Sequence, residues 1–135
     1  MKTFDVQAIS LHVSRQQAFA FIADAQHLPD WAQAFASVDG KRALMRTPSG
    51  EVEIDLDVRA SSETGSIDWY MSFPDGSVAV AYSRVVALDP DNCVYSFVLT
   101  PPPVPLEQLE GALEMQSKTL TEELGKLKGI LECGQ

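Results

Sequence analysis

The chain predicts an α+β domain: one strand, two short helices, six further strands in an antiparallel meander, and a long C-terminal helix. Three observations predict it. From about residue 36 to residue 100, apolar residues recur with period two. The runs are separated by short turns led by proline. After TPPPVP, which can neither continue a strand nor sit inside a helix, leucines recur at helical spacing from 106 to 131.

The elements follow in order. Residues 4–13, FDVQAISLHV, read as a strand in which Ile9, Leu11 and Val13 alternate with Ser10 and His12. Ser14 then reads as a helix N-cap with Gln17 three residues on, the spacing of a capping box. Ala18, Phe19, Phe21 and Ile22 form the apolar stripe of this first helix. HLPDWAQAF reads as a second short helix, with Pro29 in its first turn and Leu28, Trp31 and Phe35 on one face. FASVDG and KRALMRT are short strands. EVEIDLDVRA alternates strongly, with Val52, Ile54, Leu56 and Val58 on one face and Glu51, Glu53, Asp55 and Asp57 on the other. SIDWYMSF, SVAVAYSRVVAL and CVYSFVLT supply three more strands. The last helix spans about 105–131 with Leu106, Leu109, Leu113, Leu120, Leu124, Leu127 and Leu131 on its apolar stripe.

Three turns set the register. They are Thr47-Pro48-Ser49-Gly50-Glu51, Phe73-Pro74-Asp75-Gly76-Ser77 and Asp89-Pro90-Asp91-Asn92-Cys93. Pro presets the first turn position, and Gly or Asn accepts the left-handed conformation at the bulge. This three-residue loop pairs Phe73 with Ser77, hence Met71 with Ala79 and Trp69 with Ala81. It pairs Asp89 with Cys93, hence Ala87 with Tyr95, Val85 with Phe97 and Ser83 with Leu99. Both hairpins then put large side chains on the face of Ala79, Ala81, Ser83 and Ala87. A strand of small residues between strands of large ones makes a trough, and Trp69 points into it. The first hairpin, pairing Thr47 with Glu51, sets Arg46 and Leu44 beside Val52 and Ile54. A two-residue Asp75-Gly76 turn is the competing register. It pairs Phe73 with Val78 and Trp69 with Tyr82, and turns Arg84 inward. The preferred register leaves Val78, Val80, Tyr82, Val86, Val94 and Val98 outside, a convex apolar face that would suit a homodimer.

Totals narrow the function. The 135 residues make one domain, 1–135, long enough to bury a core without disulfides or metals. A formal net charge of -9 argues against nucleic acid or anionic membrane as partner, since both need clustered Lys and Arg. MKTFDVQAIS has no apolar core of the kind a signal peptide needs. No apolar run approaches the ~20 residues that insertion into a membrane requires. Cys93 and Cys133 lie far apart without CxxC spacing and read as free thiols of a cytoplasmic protein. His12 and His27 form no helical metal pair, so no metal and no cofactor are expected.

The order of elements resembles the helix-grip fold of the START/SRPBCC superfamily, and within it the polyketide cyclase/dehydrase and lipid-transport family. The resemblance covers essentially the whole chain and rests on ISLHVSRQQAFAFIAD, on HLPDW and on ELGKLKGILE. It implies a curved seven-stranded antiparallel sheet gripping the long C-terminal helix, with a hydrophobic cavity between them. Members bind lipids, sterols, polyketides or other apolar molecules, and some are cyclases or hydrolases. The family has no invariant catalytic motif to carry over, so the fold indicates where a site lies and not which reaction it runs.

The candidate ligand-binding set follows. Trp31 and Phe35 come from the small helices, and Leu44, Ile54, Leu56, Trp69, Met71, Tyr95 and Phe97 from the sheet. Leu113 and Leu120 come from the long helix. Between those leucines the inward positions are Gln116 and Ser117, polar groups that need a partner in a ligand or in the sheet. Arg42 and Arg46, on the face of Leu44, could hold a carboxylate or phosphate head group. Tyr95 could orient a substrate or act as a general acid. His12 reads as a surface residue, and His27 as a residue near the second helix's N-cap. The carboxylates from Glu51 to Asp57 lie on a solvated face. No nucleophile set assembles from spacing, so catalytic residues stay unassigned. The sequence therefore favours binding of a small hydrophobic or amphipathic molecule. The alternatives are a polyketide cyclase/dehydratase-like enzyme and a dimeric interaction module with no ligand.

Overall fold

The computed structural model describes residues 4–47, 50–99 and 106–133, and the side chains of 4–46, 50–99 and 114–132. Strand β1 (Asp5–Leu11) leads into helix α1 (Arg15–Ala23), a 3-10 turn (Ala25–His27) and helix α2 (Leu28–Trp31). Six strands follow: β2 (Phe35–Asp39), β3 (Arg42–Thr47), β4 (Gly50–Ser61), β5 (Ser66–Ser72), β6 (Val78–Asp89) and β7 (Asn92–Leu99). Helix α3 (Leu106–Cys133) ends the chain's described part. The strands form one antiparallel sheet in the order β1-β7-β6-β5-β4-β3-β2. The first strand thus pairs with the last.

Local chemistry accounts for the helix starts. Ser14 caps α1 by accepting from the Gln17 N–H at 3.1 Å. Asp24 caps the 3-10 turn by accepting from the Gln26 N–H. Pro29 sits in the first turn of α2, where a missing N–H costs nothing. That helix is shorter than its apolar spacing predicts. It ends at Trp31, Ala32 turns extended, and Phe35 opens β2 opposite Met45. Strand pairing with β3 overrides the helical periodicity, and Phe35 is buried from the sheet and not from a helix.

One hairpin keeps the expected register and two change it. The Phe73–Ser77 turn closes with Phe73 N–H on Ser77 O and Gly76 N–H on Phe73 O, and Gly76 takes a φ of 91°. Trp69 pairs with Ala81 and Met71 with Ala79, as the three-residue loop requires. At the β6–β7 turn, Asp89 pairs with Asn92 and a bulge follows, so Ala87 faces Cys93, Val85 faces Tyr95 and Ser83 faces Phe97. Asn92 does not turn left-handed; its Nδ2 donates to Asp89 Oδ1, which also accepts from the Asp91 N–H. The shift is two residues, so every side chain keeps its face. Ala87, however, lies at the exposed end of its strand, outside the trough.

The β3–β4 hairpin shifts by one residue, which inverts a face. Thr47 pairs with Gly50, so Ala43 and Met45 face Ile54 and Val52. Arg42, Leu44 and Arg46 turn to the outer face with Glu53, Asp55 and Glu51. Charge explains the choice. The outer face of β4 carries a carboxylate at every second position, and cross-strand arginines relieve that repulsion. Arg42 reaches Glu53 at 2.8 Å and Asp55 at 3.2 Å.

Helix α3 runs parallel to β1 and is stitched to it. Gln7 Nε2 donates to Ser117 O and Oγ, and Thr121 Oγ1 donates to Gln7 Oε1. Further along, Lys128 Nζ donates to Ser10 O, and the His12 N–H donates to Glu132 Oε2. Leu120, Leu124, Leu127 and Leu131 are buried beneath the helix. Helix α1 packs on β6 and β7 and buries Ala18 and Ile22. Among the described residues no helix is long and apolar enough to cross a membrane.

Candidate functional site

The inner face of the sheet divides into a closed end and an open one. Tyr95 is 0% exposed and Trp69 3%, while Phe97 and Met71, two positions along the same strands and on the same face, are half-buried. Ile54, Ala81 and Val85 are buried, and Val52 and Ala79 are half-buried. Met45, Phe73 and Leu99 complete the half-buried group. The closed end is sealed by α1 and by Leu11, Val13 and Cys93. The open end lies toward the N-terminal half of α3. Ser117 and Thr121 contact Gln7, so residues 106–116 continue along the helix past Gln7 for about 16 Å, toward the end where Asp5 pairs with Leu99.

Just below the half-buried group sits a polar cluster. Trp69 Nε1 donates to Ser83 Oγ at 3.3 Å, and Ser83 Oγ donates to Ile67 O at 2.6 Å. Tyr95 meets Phe97 edge-on at 6.1 Å and Trp31 edge-on at 6.4 Å between ring centroids. The Tyr95 hydroxyl and Trp31 Nε1 are buried, and no protein group accepts from either. Burial pushes the Tyr95 hydroxyl far up from the ordinary tyrosine value; the nearby Ser83 and Trp69 act in the opposite sense, though neither comes within hydrogen-bonding geometry of it. Tyr95 is therefore a neutral donor at any physiological pH.

The anticipated set is brought together only in part. Trp31, Phe35, Ile54, Leu56, Trp69, Tyr95 and Leu120 are buried in one core, with Met71 and Phe97 packed against it. Arg42, Leu44 and Arg46 are not inward, because of the one-residue register change. Arg46 instead donates from Nη1 to Gln33 O at 2.8 Å, bracing the connector between α2 and β2 from outside. Gln116 is exposed and faces away from the sheet, since Ser117 is the residue that meets Gln7. The side chain of Leu113 lies outside the described residues, as does that of Cys133; Cys93 is buried and free. His12 is exposed and meets Asn92, and His27 stacks on Phe21 at 4.1 Å.

Three polar residues were missing from the anticipated site. Gln7 shares the face of Ile9 and Leu11 by strand alternation. Asp5, two residues earlier, is 5% exposed and accepts from Gln7. Glu123 is 9% exposed and lies three residues after Leu120 and four before Leu127, a spacing that itself puts it on the inward stripe. It accepts from the Ala34 N–H at 3.4 Å. Burial holds its carboxyl above the ordinary range, with backbone hydrogen bonds from 33–34 opposing. Among the described residues, the buried polar and charged groups are Asp5, Ser83 and Glu123, and no Lys or Arg is buried. No group of three metal-binding side chains occurs among them. An open cleft of about 480 Å³ lies apart from this interior at the start of α1, lined by His12, Val13, Ser14, Gln17 and Asp91.

No family's sequence profile matches the chain, and no curated protein sequence does. Solved structures do. A START superfamily protein from Mycobacterium smegmatis superposes with a TM-score of 0.72 at 14% identity, covering 99% of this chain and 100% of that one. Zhui aromatase/cyclase from Streptomyces superposes with a TM-score of 0.69 at 11% identity, covering 96% and 93%. The di-domain ARO/CYC BexL gives 0.71 at 14%, covering 98% of this chain and 47% of that one. At these identities the likeness is one of fold: a START-like, polyketide cyclase-like helix grip, in which a curved seven-stranded antiparallel sheet holds a long C-terminal helix.

Proposed function

We propose that this helix-grip chain binds a small hydrophobic or amphipathic molecule between the inner face of the sheet and α3. The supporting observation is the change in exposure along single strands, from Tyr95 to Phe97 and from Trp69 to Met71. An inner face that is largely apolar and less fully buried at one end is a surface an apolar guest would complete. Each methylene a guest buries there is worth ~0.8 kcal/mol. The Zhui and BexL names, aromatase/cyclase and ARO/CYC, agree with a small-molecule guest and leave catalysis open. Tyr95, held neutral, would orient such a guest and would not serve as a base.

Native mass spectrometry of the protein purified from its own host tests this. We expect a reproducible mass above that of the bare chain, released on denaturation. Phe97→Asp, which sets a charge at the boundary of the closed end, should abolish it while circular dichroism stays unchanged. Bare chain alone, together with no saturable uptake of an apolar probe, would overturn the reading. The same spectra give the oligomeric state. That bears on the outer row where Val6 pairs with Val98 and Val98 with Tyr82, of which Val6 and Tyr82 are exposed.

A further inference from the structure

We propose that the interior selects a guest carrying an uncharged acceptor oxygen, such as a ketone or ester carbonyl, and that Trp31 Nε1 and the Tyr95 hydroxyl are the groups that recognise it. This rests on the interior being the ligand site and specifies the chemistry of what enters.

Four polar groups on the inner wall define the argument. Trp69 and Ser83 are satisfied within the protein: Trp69 donates to Ser83, and Ser83 donates to Ile67 O. Trp31 and Tyr95 are not, although both are almost wholly buried, at 2% and 0% exposure. A buried donor without an acceptor costs more than a made hydrogen bond normally gains, so folded proteins keep few of them. Two on touching rings are not random. Their rings meet edge-on with centroids 6.4 Å apart, so the two residues are neighbours in one part of the interior. Each has a proton to give, and the indole can do nothing else. Indole N–H has no acceptor lone pair, and the tyrosine O–H is held protonated by burial. The matching ligand group is therefore an acceptor.

Charge decides which acceptor. A carboxylate would have to leave water for an interior in which no described Lys or Arg is buried and which already contains Asp5 and Glu123. The two arginines that could have compensated, Arg42 and Arg46, are on the other side of the sheet. A neutral carbonyl oxygen has two lone pairs for two donors and carries no desolvation penalty of that size. Phe97, two positions along β7 from Tyr95, is edge-on to it and half-buried, and would meet the apolar remainder of such a guest.

Three probes of one size test the proposal by equilibrium dialysis at pH 7: 2-ethylnaphthalene, 2-acetylnaphthalene and 2-naphthoate. We expect the ketone to bind about tenfold more tightly than the hydrocarbon, the ratio that one or two net hydrogen bonds give. The carboxylate should bind more weakly than either. Tyr95→Phe and Trp31→Phe should each shrink the ratio of ketone to hydrocarbon affinity several-fold. The ligand-free Tyr95→Phe protein should melt no lower than the parent, because the hydroxyl it lacks had no partner. Equal binding of ketone and hydrocarbon would overturn the inference and leave the binding function standing. So would a Tyr95→Phe protein that melts lower yet keeps its ketone preference, since the hydroxyl would then serve the fold. Binding of none of the three would overturn both.

Discussion

Gln7 Nε2 lies 2.6 Å from the carbonyl oxygen of Ser117, joining the edge strand to the long helix across 110 residues of chain. The same amide meets Asp5 and Ser117 Oγ, and its oxygen accepts from Thr121. One side chain thus fixes the point at which α3 attaches to the sheet, and with it where the open end begins. Gln7→Ala should cost about 1–3 kcal/mol in denaturant unfolding, because it strips partners from part-buried groups. Amide exchange should quicken at residues 117–121 ahead of the rest of α3. Uniform quickening along the whole helix would contradict a local clamp.

Gly65 and Gly125 should respond oppositely to alanine. Gly65 has a φ of 77°, and a Cβ there would overlap Val85 O, whose residue donates its N–H back to Gly65 O. Arg15 crowds the same spot while donating to Ser62 O. Gly65→Ala should therefore destabilise by more than ~2 kcal/mol. Gly125 is an exposed helical position with nothing near a new Cβ, so Gly125→Ala should stabilise by roughly 0.5–1 kcal/mol. Paired thermal melts decide both.

The buried carboxyl of Glu123 makes a pH prediction whose sign can be worked out. Its folded pKa is raised by burial, so the native state holds its proton at a pH where the unfolded chain has released it. Stability from this group is then greatest below the unfolded value and falls as pH rises through the folded one. Glu123→Gln should raise the unfolding midpoint at pH 7, and the advantage should fade as the pH approaches the ordinary glutamate range. Asp75, Asp89 and Glu132 act in the opposite sense. Hydrogen bonds from Ser77, from the Asp91 N–H and from Lys128 lower their pKa values, so what they add is lost as pH falls. An advantage for Glu123→Gln that grew toward low pH would refute the assignment.

Arg42 provides the control for the inverted face. Its ion pairs with Glu53 and Asp55 are solvent-exposed, so Arg42→Ala should change stability by less than about 1 kcal/mol, and less still in high salt. Uptake of an apolar probe should be unaffected. A large loss of binding in this variant would return the arginine to the interior and remove the argument for a neutral guest.

The sequence by itself determined the order of elements, the inward set on β5 and β7, and the stripe of Leu120, Leu124, Leu127 and Leu131 on α3, because period and turn chemistry are local properties; the side chains of Leu106, Leu109 and Leu113 lie outside the described residues. The three-residue reading of Pro74-Asp75-Gly76 put Trp69 opposite Ala81, hence inside, and the structure decided for it over the two-residue alternative. Tertiary structure decided the rest. The β3–β4 turn admits two registers that differ by one residue, and the choice between them depended on charge pairing across strands, which no local spacing encodes. That choice took Arg42, Leu44 and Arg46 out of the interior. Phe35 fitted a helix by spacing and became a strand residue because β3 was there to pair with it. The donor pair of Trp31 and Tyr95 joins residues 64 positions apart, from a short helix and the seventh strand. Each is legible alone as an aromatic core residue. That neither finds an acceptor emerges only when all the neighbours are in place, because hydrogen-bond satisfaction is a property of the packed interior and not of the chain.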